Sequence, residues 1–188
     1  MEFTVYSDFT SAECYGLNEQ LVALGMSGAV QWRGVQTDPS LPAPMRSLDR
    51  RALDRIEDEI GEALRRVDTA IMHLPRGKPN TRRAIVAVAS VMRQQPARAA
   101  LFRDALFRAY WCDGTDLSVA AELQRVADAS GIPRFVELDH PDAEEMAESW
   151  ELDWAIERLG GVPRVIRSDG RILWGLKPMH EATAFFRA

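Results

Sequence analysis

The chain is 188 residues long, 46% apolar and 27% charged, with a formal net charge of −5. That length fits one domain, or one domain carrying an insertion, with enough apolar sequence for a real core. The negative balance argues against a nucleic-acid surface, which would show a basic patch, and the longest mostly apolar run, Ala84 to Met92, is far too short to span a bilayer.

Glu2 and Asp8 stand where a secretory leader would carry its charged and apolar regions, so no leader is expected and the reducing cytoplasm is the default compartment. Residues 3 to 21, FTVYSDFTSAECYGLNEQL, read as a short strand, a polar turn and the start of a helix. Phe3 and Val5 alternate with polar neighbours at a strand's period of two, and Phe9 is in phase with them. Ser11 sits where a helix cap is wanted, ahead of Ala12, Glu13 and Cys14. Its oxygen can satisfy an orphan amide, and Glu13 suits the positive end of the dipole. A side chain presented there faces N–H groups that favour a thiolate or another anion.

The first helix is predicted over roughly Glu13 to Leu24, with Gly25 as its stop and a second strand near Ala29 to Val35. Gln36 to Pro44 holds three prolines, which exclude a regular helix or a central strand. Leu53, Ile56, Ile60, Leu64, Val67 and Ile71 then recur at three- and four-residue spacing, predicting one amphipathic helix that ends at Pro75 to Pro79. Asn80 is placed to cap a helix reaching Gln95, Pro96 to open another closing at Gly114, and Ser118 to cap a fourth running to Ser130 before Gly131-Ile132-Pro133. Residues 137 to 153 hold eight carboxylates and no Lys or Arg. They read as the solvated, N-terminal half of a helix over Pro141 to Leu159 rather than a cation site, because no calcium-loop spacing accompanies them. Gly161-Val162-Pro163 leads into a strand, Asp169-Gly170 is a hairpin turn, Arg171 to Trp174 returns, and Pro178 opens a closing helix. Cys14 and Cys112 lie too far apart to read as a disulfide framework.

Three stretches carry a family resemblance. Asp8-Phe9-Thr10-Ser11-Ala12-Glu13-Cys14-Tyr15 resembles the Asp-x-x-Cys-x-x-Cys-Tyr turn of the DsbA-like branch of the thioredoxin superfamily, with Ser11 in place of the first cysteine. Gly161-Val162-Pro163, followed by the hairpin and Trp174-Gly175, resembles that family's cis-proline strand. Leu106 to Trp111 with Asp113-Gly114, and Gly175-Leu176-Lys177-Pro178, resemble its cytoplasmic branch. The implied fold is α/β: a thioredoxin fold with an all-helical, DsbA-like insertion. Residues 1–36 plus 133–188 form the expected thioredoxin-like domain, and 45–132 a helical insertion that acts as a lid.

The resemblance also implies a site. Ser11 and Cys14 take the catalytic positions, and Val162 and Pro163 the loop that aligns a partner's sulfur. Glu13, Tyr15, Asn80 and Trp174 are candidates for the groove that binds substrate or glutathione. Glu13 either raises the Cys14 pKa by like charge or is simply exposed to solvent. Helix capping explains Asn80 without a ligand, and packing alone explains Tyr15. Cys112 reads as a buried small hydrophobe. A serine alkoxide is out of reach without a general base, so Ser11 cannot replace an attacking thiolate and the dithiol cycle cannot run. Three readings stay open. One is a thiol–disulfide oxidoreductase-like protein with a degenerate Ser-x-x-Cys motif, working through Cys14 as a monothiol or impaired. The second is a glutathione-dependent transferase or isomerase of the kappa-class or hydroxychromene-carboxylate type, although those relatives have proline where this chain has Ala12, and Asp-Arg where it has Lys177-Pro178. The third is a non-catalytic binder. Glutathione is the one candidate cofactor. The expected partner is a thiol-containing small molecule or a protein disulfide, without nucleic acid or membrane, and a homodimer contact stays open.

Overall fold

Phe3–Ser7 forms β1, the strand on which the sheet is assembled. A computed structural model of the chain describes residues 2–67, 69–157 and 160–187. After β1 come α1 (Ala12–Ala23) and β2 (Gln31–Gly34), then four helices, α2 (Arg50–Leu64), α3 (Arg82–Gln94), α4 (Pro96–Trp111) and α5 (Ala120–Ala129). The chain returns through α6 (Pro141–Ile156) to β3 (Arg164–Arg167), β4 (Ile172–Trp174) and α7 (Met179–Arg187). The sheet order is β2-β1-β3-β4, with β1 parallel to β2 and antiparallel to β3. Val5 lies opposite Trp32 on one side and Val165 on the other, so the alternation seen in the sequence turns its apolar face to the core. This is the α/β thioredoxin layout with a helical insertion between β2 and α6.

The turn after β1 is welded to the insertion by aromatic packing. The ring of Phe9 lies 4.6 Å from that of Phe107 and 5.5 Å from that of Trp32, and Trp111 donates its indole N–H to the Phe9 carbonyl at 2.9 Å. Each buried aromatic contributes roughly 1.5–3 kcal/mol, with about 0.5–1.5 kcal/mol more for a well-placed ring pair. That anchor fixes where the N-terminus of α1 can point.

Several sequence expectations need correction. The helix predicted through Ile71 ends at Leu64; Val67 is still buried, from irregular backbone, whereas Ile71 is exposed. Asp49 caps this helix by accepting from the Ala52 amide. Ser118 does not cap α5; its amide and hydroxyl both turn back to Asp116. The predicted end of α6 at Leu159 lies outside the described residues. The acids of α6 are only partly a solvated face. Arg82 on α3 meets Glu144, Glu148 and Glu151, Arg93 meets Asp142, and Arg33 on β2 meets Asp153. Each pair is half-exposed and worth little alone, but together they hold α6 across α3 and the β2 edge. Among the described residues no helix is long and apolar enough to cross a membrane.

Candidate functional site

The carboxylate of Asp8, just past β1, organises the turn. One oxygen accepts from the Thr10 amide at 3.2 Å, and the other from the amide and hydroxyl of Thr37 at 2.8 and 2.6 Å. The loops leaving β1 and β2 are thereby tied together beneath the start of α1. Asp8 is 1% exposed, so removing it leaves buried donors unpaired. Asp8→Ala is expected to cost about 3 kcal/mol and to lower the thermal midpoint by roughly 6–12 °C. Thermal unfolding followed by circular dichroism checks this; a shift under about 2 °C would deny Asp8 its tying role.

Ser11 caps α1 with extended backbone (φ −92°, ψ 121°), its oxygen accepting from the Cys14 amide at 3.3 Å. Among the described residues no acceptor meets the amides of Ala12 and Glu13, as first-turn amides require unless something binds them. Cys14 lies behind this tip. It is 1% exposed, its sulfur receives the Asp8 amide at 3.5 Å, and its thiol is pushed up to about 12. Burial is the main cause. The hydroxyls of Ser11 and Ser7 and the Asp8 amide pull the other way, and the Asp8 carboxylate adds to the rise. The carboxylate acting on Cys14 is therefore Asp8 and not Glu13, which corrects the expectation for Glu13. Glu13 instead takes Arg66 at 3.0 Å and the Leu176 amide at 3.3 Å, joining α1 to the end of α2 and to the loop after β4.

That loop closes on α1 because residue 16 is glycine; a Cβ there would come within 2.7 Å of Leu176. Gln20 completes the clamp by donating to the Lys177 carbonyl at 2.7 Å. The Val162–Pro163 peptide is cis, and the Pro163 carbonyl accepts from Gly175 at 3.1 Å. Val162 and the tip of α1 share the wall of one cleft of about 480 Å³. Thr10, Ser11, Ala12, Glu13 and Thr37 line it beside Val162, and Asp58, Glu59 and Glu62 of α2 with Lys78 close the far side.

The structure thus brings Ser11, Glu13 and Val162 together, with Pro163 buried just behind. Cys14, Tyr15, Asn80 and Trp174 are not on the cleft wall. Tyr15 is buried, stacked on Trp111 with ring centres 6.3 Å apart, and its hydroxyl meets the Cys112 sulfur at 3.4 Å. Asn80 spends its amide on structure. Its oxygen accepts from Gln36 and from the Arg82 amide, and its nitrogen donates to the carbonyls of Pro39 and Leu41. Trp174 is 51% exposed at the sheet edge, with the Arg164 guanidinium 3.3 Å from its ring centre. Cys112 is half-buried rather than enclosed and lines a different cavity, with His73 and Arg76. The acids of α2 were missed because they read as an ordinary solvated helix face; nothing in their spacing says which polar side a cleft will use.

The model of the DSBA-like thioredoxin domain matches residues 2–186. The chain belongs to this family. Solved structures agree on the fold. A probable DsbA oxidoreductase from Streptomyces coelicolor superposes with a TM-score of 0.77 at 19% identity, over 98% of this chain and 88% of that one. A 2-hydroxychromene-2-carboxylate isomerase gives 0.70 at 19% identity, over 100% and 93%. The cytosolic disulfide reductase DsbM from Pseudomonas aeruginosa, solved with GSH, gives 0.75 at 14%, over 100% and 98%. No curated protein matches the sequence. In this member of the family the tip of α1 carries the Ser11 hydroxyl, and the Cys14 sulfur three residues on is shut inside.

Proposed function

We propose that this DsbA-like protein holds a thiol-bearing small molecule in the cleft, with the ligand's sulfur at the tip of α1, and that it does not exchange dithiols. One observation carries the reading: of the two motif positions, Ser11 is on the cleft wall and Cys14 is buried with its thiol pushed up to about 12. A thiol so placed is neither exposed nor ionised at neutral pH, which weighs against a monothiol role for Cys14. The Ser11 oxygen already accepts the Cys14 amide, so its proton can turn toward a ligand. The amides of Ala12 and Glu13 stand beside it at the positive end of the helix. Donors so arranged stabilise a developing anion without having to reorganise. A bound thiol would lose its proton more readily there and become a nucleophile for transfer or isomerisation.

Likeness to DsbM, solved with GSH, supports a small thiol as the ligand class. Helices α2–α5, within residues 45–132, serve as the lid. Two free cysteines fit a reducing, cytoplasmic setting. The test is the ultraviolet thiolate absorbance of glutathione and of its diethyl ester, each titrated with pH in the presence and absence of protein. At least one bound thiol is expected to ionise about one to two pH units lower than when free, and Ser11→Ala to return about one unit of that. If protein moves neither titration curve, the reading fails.

A further inference from the structure

The cleft has two poles. Resting on the thiol-site reading above, we propose that its ligand is a cationic thiol: a small molecule with its sulfur at the tip of α1 and a positive charge against α2. Glutathione in its ordinary anionic form is then a poor fit.

The wall opposite Ser11 is acidic. Asp58, Glu59 and Glu62 line the cleft from one turn of α2, and Glu13 lines it from α1. The available cations do not balance them. Lys78 meets Glu59 at 3.4 Å, and Arg66 is shared between Glu13 at 3.0 Å and Glu62 at 4.0 Å. Arg65 reaches Glu62 only at 3.9 Å and is itself largely exposed. Asp58 has no ion pair or hydrogen bond among the described residues. Asp58 and Glu62 are four apart on the helix, a spacing at which like charges weaken a helix unless a cation sits between them. A carboxylate brought into this space meets repulsion at α2, whereas an ammonium group meets unspent negative charge in a partly enclosed cleft, where screening is weaker than in open water. The tip of α1, with its free amides and the Ser11 hydroxyl, asks for the opposite sign. A ligand that ionises at sulfur and carries a cation at its other end satisfies both walls at once.

Glutathione and its diethyl ester separate the two claims, because they share the thiol and the peptide and differ only in the two carboxylates that the ester caps. Calorimetric titration of the full chain is expected to show the ester binding about tenfold more tightly, with a gap that narrows as salt is raised. The double variant Asp58→Asn/Glu62→Gln, both exposed positions, should bring the two affinities to within about twofold, with its thermal midpoint checking that it folds. Ser11→Ala should weaken both ligands alike and leave their ratio unchanged. Equal binding, or tighter binding of glutathione, overturns the charge assignment while the thiol site stands. A gap that survives in the double variant also overturns it, tracing the preference to the apolar ester groups. If neither molecule binds, both the assignment and the thiol-site reading fall.

Discussion

Ser11→Cys is expected to raise the disulfide-exchange activity of the chain far above that of the wild type. In an insulin-reduction assay the variant should run at least about a hundredfold above the wild-type chain, which itself should match the uncatalysed rate. The reason is local. A sulfur placed at the Ser11 oxygen inherits the Cys14 amide at 3.3 Å and the free first-turn amides of α1. Thiols at helix N-termini fall from about 8.5 into a range of roughly 3.5–7.5, so the thiolate becomes a large fraction at neutral pH. The resolving sulfur is also near, because Cys14 follows one helical turn behind position 11 and its amide already donates to the Ser11 oxygen at 3.3 Å. Val162 supplies the facing wall for an incoming disulfide. Ser11→Ala must stay inactive in the same assay, since it offers neither sulfur nor hydroxyl. An inactive Ser11→Cys variant whose two sulfurs also fail to oxidise to an internal disulfide would mean that the tip of α1 is not built for sulfur at all.

Much of this site was legible in the sequence, and the limits of that reading are physical. Ser11 as a cap, Gly25 and Gly170 as turns, and Pro96 at the start of α4 are decided within a few residues by backbone stereochemistry, and each stands where it was expected. The meeting of Ser11 with Val162 was reached only through family resemblance, because no local rule brings residues so far apart into one wall. The failures have different causes. Val67 continues a helical rhythm and is buried, yet the backbone has left the helix; periodicity records which side chains are covered and not the path that covers them. Ser118 has the right chemistry for a cap, but Asp116, two residues earlier, captures it first. Glu13 seemed the natural neighbour of Cys14, yet an α-helix points adjacent side chains apart, and the carboxylate that bears on the sulfur comes from Asp8 in the preceding turn. Cys112 looked like core, and only the fold shows that it borders a second cavity.

Cys14 carries the other large effect, and its sign follows from burial. Folding moves its thiol from an ordinary 9.0 up to about 12, so the folded chain holds this proton more tightly than the unfolded one. Stability from that proton is fully present below pH 9, declines as the unfolded thiol ionises above it, and is lost as pH rises through the folded value near 12. Three pH units correspond to about 4 kcal/mol, approached at a slope of about 1.4 kcal/mol per pH unit. Tyr15 and Tyr110, both held above ordinary tyrosine values mainly by burial, steepen the same alkaline limb. The informative comparison is therefore between slopes. Urea unfolding of the wild-type chain and of Cys14→Ala, measured between pH 8 and 11, should show the variant losing stability less steeply by about one proton's worth, whatever its offset at neutral pH. The same burial governs reactivity. At pH 7.5 a thiol with a pKa near 12 is thiolate about a thousandfold less often than an ordinary cysteine, before any shielding is counted. Iodoacetamide should thus label the folded chain at Cys112 and leave Cys14 untouched until urea opens the core, which mass spectrometry of the alkylated peptides reads directly. Rapid labelling of Cys14 in the folded protein, or identical alkaline slopes, would show this sulfur to be open to the cleft and would restore the monothiol reading.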